Sequence, residues 1–302
     1  MSETAESTRP PLDPRARATF KTIFVTLFLD LVGFSIIFPL FPAMLEYYVA
    51  NEGNAPLLGG FISALENFSE AVGAPSDTGI IVLFGGVLAS LYSLLQFLFS
   101  PIIGSLSDRY GRKPLLLISI AGIALSYVLW FFAASFLLLI FARTIGGMMA
   151  GNISTASAAV ADVTSVKDRP RGMAVIGIAF GVGFIVGPAI GGVSALLDLT
   201  EQFPALAGYG VNPFSMPALV AFTLSLFNLA YVAVAFEETL APSTDTRDRP
   251  QRTVNPIALF STSAYPGVTK TNLSNFLSLT AFSGAALGLT FLALDRLGYG
   301  PH

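Results

Sequence analysis

The chain has 302 residues, of which 53% are hydrophobic and only 12% charged, with a formal net charge of −3; an ordinary soluble domain carries roughly a quarter charged residues. That composition implies an all-α polytopic membrane protein, because a soluble core would have to hide apolar runs about twice as long as a buried helix offers. With no cysteine and a single histidine, His302, disulfides, iron–sulfur clusters and Cys- or His-based metal sites are excluded; no cofactor is expected, and no basic patch interleaved with aromatics points to nucleic acid.

Residues 1–20 are polar and rich in Pro, Arg and Thr, and read as a soluble tail before an uncleaved first span. Charge-free runs then predict seven transmembrane helices, near 21–43, 79–103, 114–133, 136–161, 172–195, 217–236 and 273–294. The third and fourth must be a hairpin turning near Ala133 to Ser135, since residues 114–161 as one helix would run roughly 72 Å, over twice the hydrocarbon thickness. Residues 21–236 thus form a six-helix unit, 237–272 a Pro- and Ser/Thr-rich linker, and 273–302 a seventh helix and its exit.

Lysine and arginine accumulate on the cytoplasmic side of spans. Here Arg9, Arg15, Arg17 and Lys21 precede span one, and Arg109, Arg112 and Lys113 join spans two and three. Lys167, Arg169 and Arg171 join spans four and five, and Arg247, Arg249, Arg252 and Lys270 join six and seven. All four segments share one face, which places the N-terminus in the cytoplasm of a multi-pass cell-membrane protein. The opposite loops, 44–78 and 196–216, hold acids and no base. Within the first of them, Leu58, Phe61, Ile62, Leu65, Phe68 and Val72 recur at helical spacing. An amphipathic helix on the outer membrane surface and a helix capping the bundle both fit.

Asp30, in the stretch LDLVGFSIIFPLFP, carries an acid into span one, where a charge costs roughly 2.5–3.5 kcal/mol. It must face protein or water, either as a structural acid hydrogen-bonded to backbone or as a group that loads and releases protons; Gly33 shares its helix face. Arg143 is the complementary cation in span four. It shares a stripe with Gly147 and Gly151 that lets a neighbouring helix approach and turns the guanidinium toward a cavity. It either tunes or exchanges with Asp30, or snorkels to the outer face. Span five, GIAFGVGFIVGPAIGG, puts Gly183, Gly187 and Gly191 on one small-residue stripe beside Gly192, with Pro188 as a place to bend. The chain holds no P-loop, zinc-protease motif or nucleophile elbow, so neither an ATP-driven pump nor an enzyme finds support.

Four motifs resemble, in order and spacing, the major facilitator superfamily, and within it the drug:proton antiporters of the tetracycline and multidrug efflux type. GSLSDRYGRKP matches the loop motif between spans two and three at Gly104, Asp108, Arg109, Gly111, Arg112 and Lys113. LDLVGFSIIFPLFP is similar to the span-one motif, Arg143-x-x-x-Gly147 to that of span four, and GFIVGPAIGG to the antiporter motif of span five. The resemblance implies two six-helix halves around a central cavity, each half an inverted pair of three-helix repeats. It implies that Asp30 and Arg143 handle protons or substrate. It also implies that Asp108 and Arg112 form an inner latch, with the acid at a helix N-terminus; from topology, Asp162 is a partner for Arg112.

The resemblance is still running at His302, so the sequence is expected to be cut after the seventh span, to lack most of its C-terminal half, and not to transport alone. The function expected of the whole protein is secondary active, proton-coupled efflux of small amphipathic compounds. Its partners are the substrate, protons, the lipid bilayer and the missing half. The alternatives are a sugar or organic-ion transporter of the same fold and a non-transporting scaffold or receptor.

Overall fold

A computed structural model of the chain describes residues 13–53, 55–71, 77–240, 267–278 and 280–281. Among the described residues the chain forms, in order, α1 Pro14–Ser35, α2 Phe41–Glu52, α3 Pro56–Ala71, α4 Asp77–Tyr110, α5 Arg112–Phe131, α6 Phe136–Met149, α7 Asn152–Asp162, α8 Arg169–Ala195, α9 Leu199–Gln202 and α10 Ser215–Ala235. Residues 268–278 are also helical. Among the described residues six segments are long and apolar enough to cross a membrane, and they coincide with the first six expected spans. The tail before residue 13, most of the linker and the seventh span beyond residue 281 lie outside the described residues.

The helices end where caps and glycines stop them, not where hydrophobicity fades. α1 begins at Pro14, well before the expected residue 21, because Asp13 caps it by accepting from the backbone N–H of Arg15 at 2.9 Å, with proline in the first turn. α4 runs 34 residues, past the apolar segment and through Asp108, until Gly111 takes φ +108°. Span four is two helices rather than one. α6 stops at Met149, and α7 starts at Asn152 after a break at Ala150 and Gly151, the second of which is a residue that weakens a helix. Side chains satisfy the carbonyls freed there: Gln96 Nε2 donates to Ala150 O at 2.9 Å and Ser154 Oγ to Gly151 O at 2.8 Å. The hairpin between α5 and α6 turns where expected, with Ser135 capping α6.

Two apolar clusters fill the bundle. One gathers Phe20, Ile23, Leu27 and Leu31 of α1 with Leu116, Ile120, Ala159 and Val232. The other gathers Val32 and Ile36 with Tyr48, Phe84, Trp130, Phe136 and Phe214. The first lies toward the end bearing Arg112 and the α8 start, here called the basic end. Asp30 falls at the seam between them. α3 belongs to the second cluster: Leu58 and Leu65 are buried and the Phe61 ring meets Phe84 and Phe136. The capping reading of that helix is therefore the one observed; Val72 lies outside the described residues.

α8 presses hardest on α1, and the glycine stripe is the reason. A Cβ on Gly183 would stand 2.7 Å from Leu31 Cβ, one on Gly187 would collide with Ser35 Oγ, and one on Gly191 with the Ile36 carbonyl. Gly192, Gly181 and Gly177 face away, with nothing within 4 Å. α8 continues unbroken through Pro188. Gly187→Leu is expected to destabilise the protein by about 1–3 kcal/mol or prevent assembly, through overpacking. Gly181→Ala and Gly192→Ala should leave stability unchanged or raise it slightly. Thermal unfolding in detergent compares the three.

Candidate functional site

The basic end is tied by one guanidinium. Arg112, at the first position of α5, is 3% exposed. Its Nη1 lies 2.5 Å from Asp108 Oδ1 and donates to Ser107 Oγ at 2.7 Å, and its Nε donates to Asp162 Oδ2 at 2.9 Å. The Arg112–Asp162 pair joins α5 to the end of α7. Asp108 does not stand at a helix N-terminus, as the resemblance suggested. It occupies the last turn of α4, because that helix does not stop until Gly111, and an ion pair four residues along the chain holds it.

The carboxylate at the N-terminus of α5 belongs instead to Glu238, a residue the sequence reading passed over. Its Oε1 accepts from the backbone N–H of Arg112 at 2.9 Å and of Leu240 at 2.9 Å, and its Oε2 from that of Lys113 at 3.1 Å. Gly111 makes room, since a Cβ there would lie 2.6 Å from Glu238 Oε2. Arg15 Nη2 donates to the Glu238 carbonyl at 2.9 Å, and Thr239 Oγ1 donates to Asp162 Oδ2 at 3.2 Å. The chain leaving α10 thereby fastens α1, α5 and α7 together. Partial burial raises the pKa of Glu238, but four backbone N–H donors outweigh it and hold the group below the usual glutamate range.

Of the remaining loop-motif residues, Gly104 lets α7 approach, with Ser154 Oγ 3.3 Å from where its Cβ would be. Arg109 is exposed, its guanidinium 5.2 Å from the Tyr110 ring centre, and Lys113 is partly buried.

Farther into the bundle, Asp30 is partly buried on α1 and held by two carboxamides. Asn152 Nδ2, at the first position of α7, donates to Oδ2, and Asn228 Nδ2 of α10 donates to Oδ1 at 2.9 Å. The acid is thus satisfied by side chains of other helices and not by backbone. Asn152 and Asn228 escaped the sequence reading; a polar amide in the middle of each apolar span was the available signal. Gly33 serves a neighbour rather than Asp30: a Cβ there would lie 2.7 Å from Tyr127 Oη.

Arg143 does not meet Asp30, and it does not snorkel. It is 6% exposed, with its guanidinium carbon 5.2 Å from the Trp130 ring centre and 5.9 Å from that of Tyr92. Among the described residues it makes no ion pair, and its Nη2 and Trp130 Nε1 have no hydrogen-bond partner. Tyr92 and Tyr127 stand within electrostatic reach of both Asp30 and Arg143. Gly147 serves α4, its Cβ position 2.7 Å from the Tyr92 carbonyl, and Gly151 admits Ile103. The helix break separates Gly151 from the stripe of Arg143 and Gly147.

A family model described as Major Facilitator Superfamily matches residues 23–301. The bovine major facilitator superfamily domain-containing protein 10 is 42% identical over 188 residues, 61% of this chain and 41% of the relative. The class H tetracycline resistance protein of Pasteurella multocida is 33% identical over 187 residues, 61% of this chain and 40% of that protein. The chain thus matches about two fifths of the length of these relatives. A crystal structure of the human organic anion transporter MFSD10 (TETRAN) aligns with a TM-score of 0.77 at 30% identity, covering 95% of this chain and 67% of that one.

Arg112→Ala is expected to cost about 3 kcal/mol, since it leaves two carboxylates without their cation. Combined with Asp162→Ala, the loss should be less than additive in equilibrium unfolding. Because the folded pKa of Glu238 is depressed, its contribution is present above the ordinary glutamate range and fades as pH falls through the lower folded value. Glu238→Gln should therefore lower the unfolding temperature at neutral pH and flatten its decline on the acid side.

Proposed function

Because the chain belongs to the major facilitator superfamily, a family of membrane transporters rather than enzymes, we propose that it is part of a proton-coupled exporter of small amphipathic compounds, with Asp30 as the proton-linked acid. One observation carries this reading: the partners of Asp30 are two neutral carboxamides, not a cation. A carboxylate locked to an arginine has its charge fixed by that pair. One held by amides changes the net charge of the bundle by a full unit when it gains or loses a proton, and that change can bias one conformation over another. The tetracycline resistance relative supports an export reading.

In this proposal residues 21–236 are one half of the transporter, 237–272 link it to the second half, and the N-terminus lies in the cytoplasm of a cell-membrane protein. Arg112 with Asp108 and Asp162 latches the cytoplasmic end. The close α1–α8 seam at Gly183, Gly187 and Gly191 keeps the half rigid while the two halves rock.

A second reading concerns the substrate. Arg143 is a buried cation without an acid among the described residues, and the human relative of known structure is described as an organic anion transporter. Buried charges call for a counter-ion, so an organic anion is a substrate class that Arg143 would favour.

In everted vesicles carrying the complete protein, Asp30→Asn should abolish proton-driven dye accumulation while surface expression is kept; unaltered accumulation would remove Asp30 from the coupling role. Arg143→Gln should depress accumulation of an anionic fluorescein far more than that of cationic ethidium. Equal effects on the two dyes would dismiss the anion reading.

A further inference from the structure

Three buried polar atoms near Asp30 have no partner among the described residues: Thr26 Oγ1 on α1, Thr155 Oγ1 on α7 and Asn228 Oδ1 on α10. All three residues are 0% exposed. Leaving such groups unpaired costs roughly 1–3 kcal/mol each, and the topology brings them to one layer. α1 leaves the basic end and α7 returns to it, and the Asn152–Asp30 hydrogen bond fixes their register. From that bond Thr26 lies four residues back along α1 and Thr155 three residues on along α7, so both sit about one turn toward the basic end. The Asn228 carboxamide occupies the same layer, because its Nδ2 donates to the Thr26 carbonyl at 3.1 Å as well as to Asp30 Oδ1. Those two acceptors fix the orientation of the amide and leave its oxygen as the unpaired end.

We infer that Thr26, Thr155 and Asn228 form a binding site for one ordered water behind Asp30, and that this water is the exchange point for the Asp30 proton. The donor set decides between water and a metal cation. One carbonyl and two hydroxyls, each able to give or take a hydrogen bond, are the three partners a buried water characteristically finds. A hard cation needs six or more oxygens, and both carboxamides turn N–H groups, not oxygens, toward the acid.

The site has a direction. Thr19, Thr22, Thr26 and Asp30 follow one another at spacings of three, four and four on one face of α1, and the three threonines are buried. On α7, Asn152, Thr155 and Asp162 run the same way and end at Arg112. A proton released by Asp30 passes to the water as the water gives up one of its own hydrogens, which ends on solvent water at the basic end; the carboxyl becomes a carboxylate, the site water is restored and the solvent gains the proton. The other titratable groups around Asp30 are Tyr92 from α4 and Tyr127 from α5. α7 adds Asp162 at its far end, α10 adds Tyr231, and α8 adds Arg169 and Arg171 at its start only.

This inference rests on the reading of Asp30 as the proton-linked acid, and infrared difference spectroscopy of the complete protein in lipid separates the two. Acid-minus-alkaline spectra should show a carboxyl band, lost in Asp30→Asn, together with a water O–H band that shifts in heavy-oxygen water. Thr26→Val and Thr155→Val should each remove the water band and slow deuterium exchange of the carboxyl, while Thr155→Ser, which restores a hydroxyl, should retain both. A wild-type spectrum with no heavy-oxygen-sensitive band overturns the site. So does a band that survives the double Thr26→Val, Thr155→Val variant. A normal water band alongside undiminished export by Asp30→Asn would leave the site standing and remove its coupling role.

Discussion

A carboxyl group set among apolar helices must be given donors, and at Asp30 they come from two other helices. That requirement shapes the surroundings. Asn152 can reach the acid only because α6 and α7 are separate helices, with the amide at the first position of α7. Asn228 reaches it because α10 packs against α1, where its amide also holds the Thr26 carbonyl. Three helices are thus keyed to one another in depth and rotation by hydrogen bonds to a single side chain. Apolar packing is non-directional and could not set that register so tightly.

The third contact to α1 works by the opposite means. At the seam α8 presents glycine backbone in place of side chains. Its bare glycine stripe brings the backbones so close that Ser35 Oγ lies 3.3 Å from the Gly183 carbonyl. Such a surface gains from dispersion and tolerates no added atom, so α1 is held rigidly on that side and by specific hydrogen bonds on the other. Glu238 and Arg112 close the basic end; the Arg112 guanidinium is buried, and its carboxylate partners Asp108 and Asp162 keep part of their surface in contact with solvent, which lowers the desolvation cost of pairing.

Much of this was legible in the chain. Uninterrupted apolar runs between basic clusters mark seven spans, since no soluble core can hide them, and the first six are those the described residues contain; an acid or arginine inside a span announces itself by its cost. What escaped has a common physical cause. The start of α1 lay in Asp13-Pro14, a cap signal outside the apolar run. The break in span four lay at Ala150 and Gly151, whose freed carbonyls take hydrogen bonds from Gln96 and Ser154, and hydropathy does not weigh such bonds. Asn152, Asn228 and Gln96 are neutral, so they leave no mark on a charge map although they satisfy the most demanding groups in the bundle. Glu238 caps a helix 125 residues away in sequence from Lys113, a pairing that only the fold reveals.

The separation of Asp30 from Arg143 has a mechanical meaning. Had the two paired, each would have neutralised the other and neither could answer to a proton or a ligand. Instead Arg143 rests on the faces of Trp130 and Tyr92, which supply a diffuse attraction that a real counter-ion can outcompete. Asp30 rests on amides that serve it whether charged or neutral, because a carboxamide N–H can donate to either form of the acid. Among the described residues neither group is thus committed to a counter-ion, and both have the Tyr92 and Tyr127 rings within electrostatic reach.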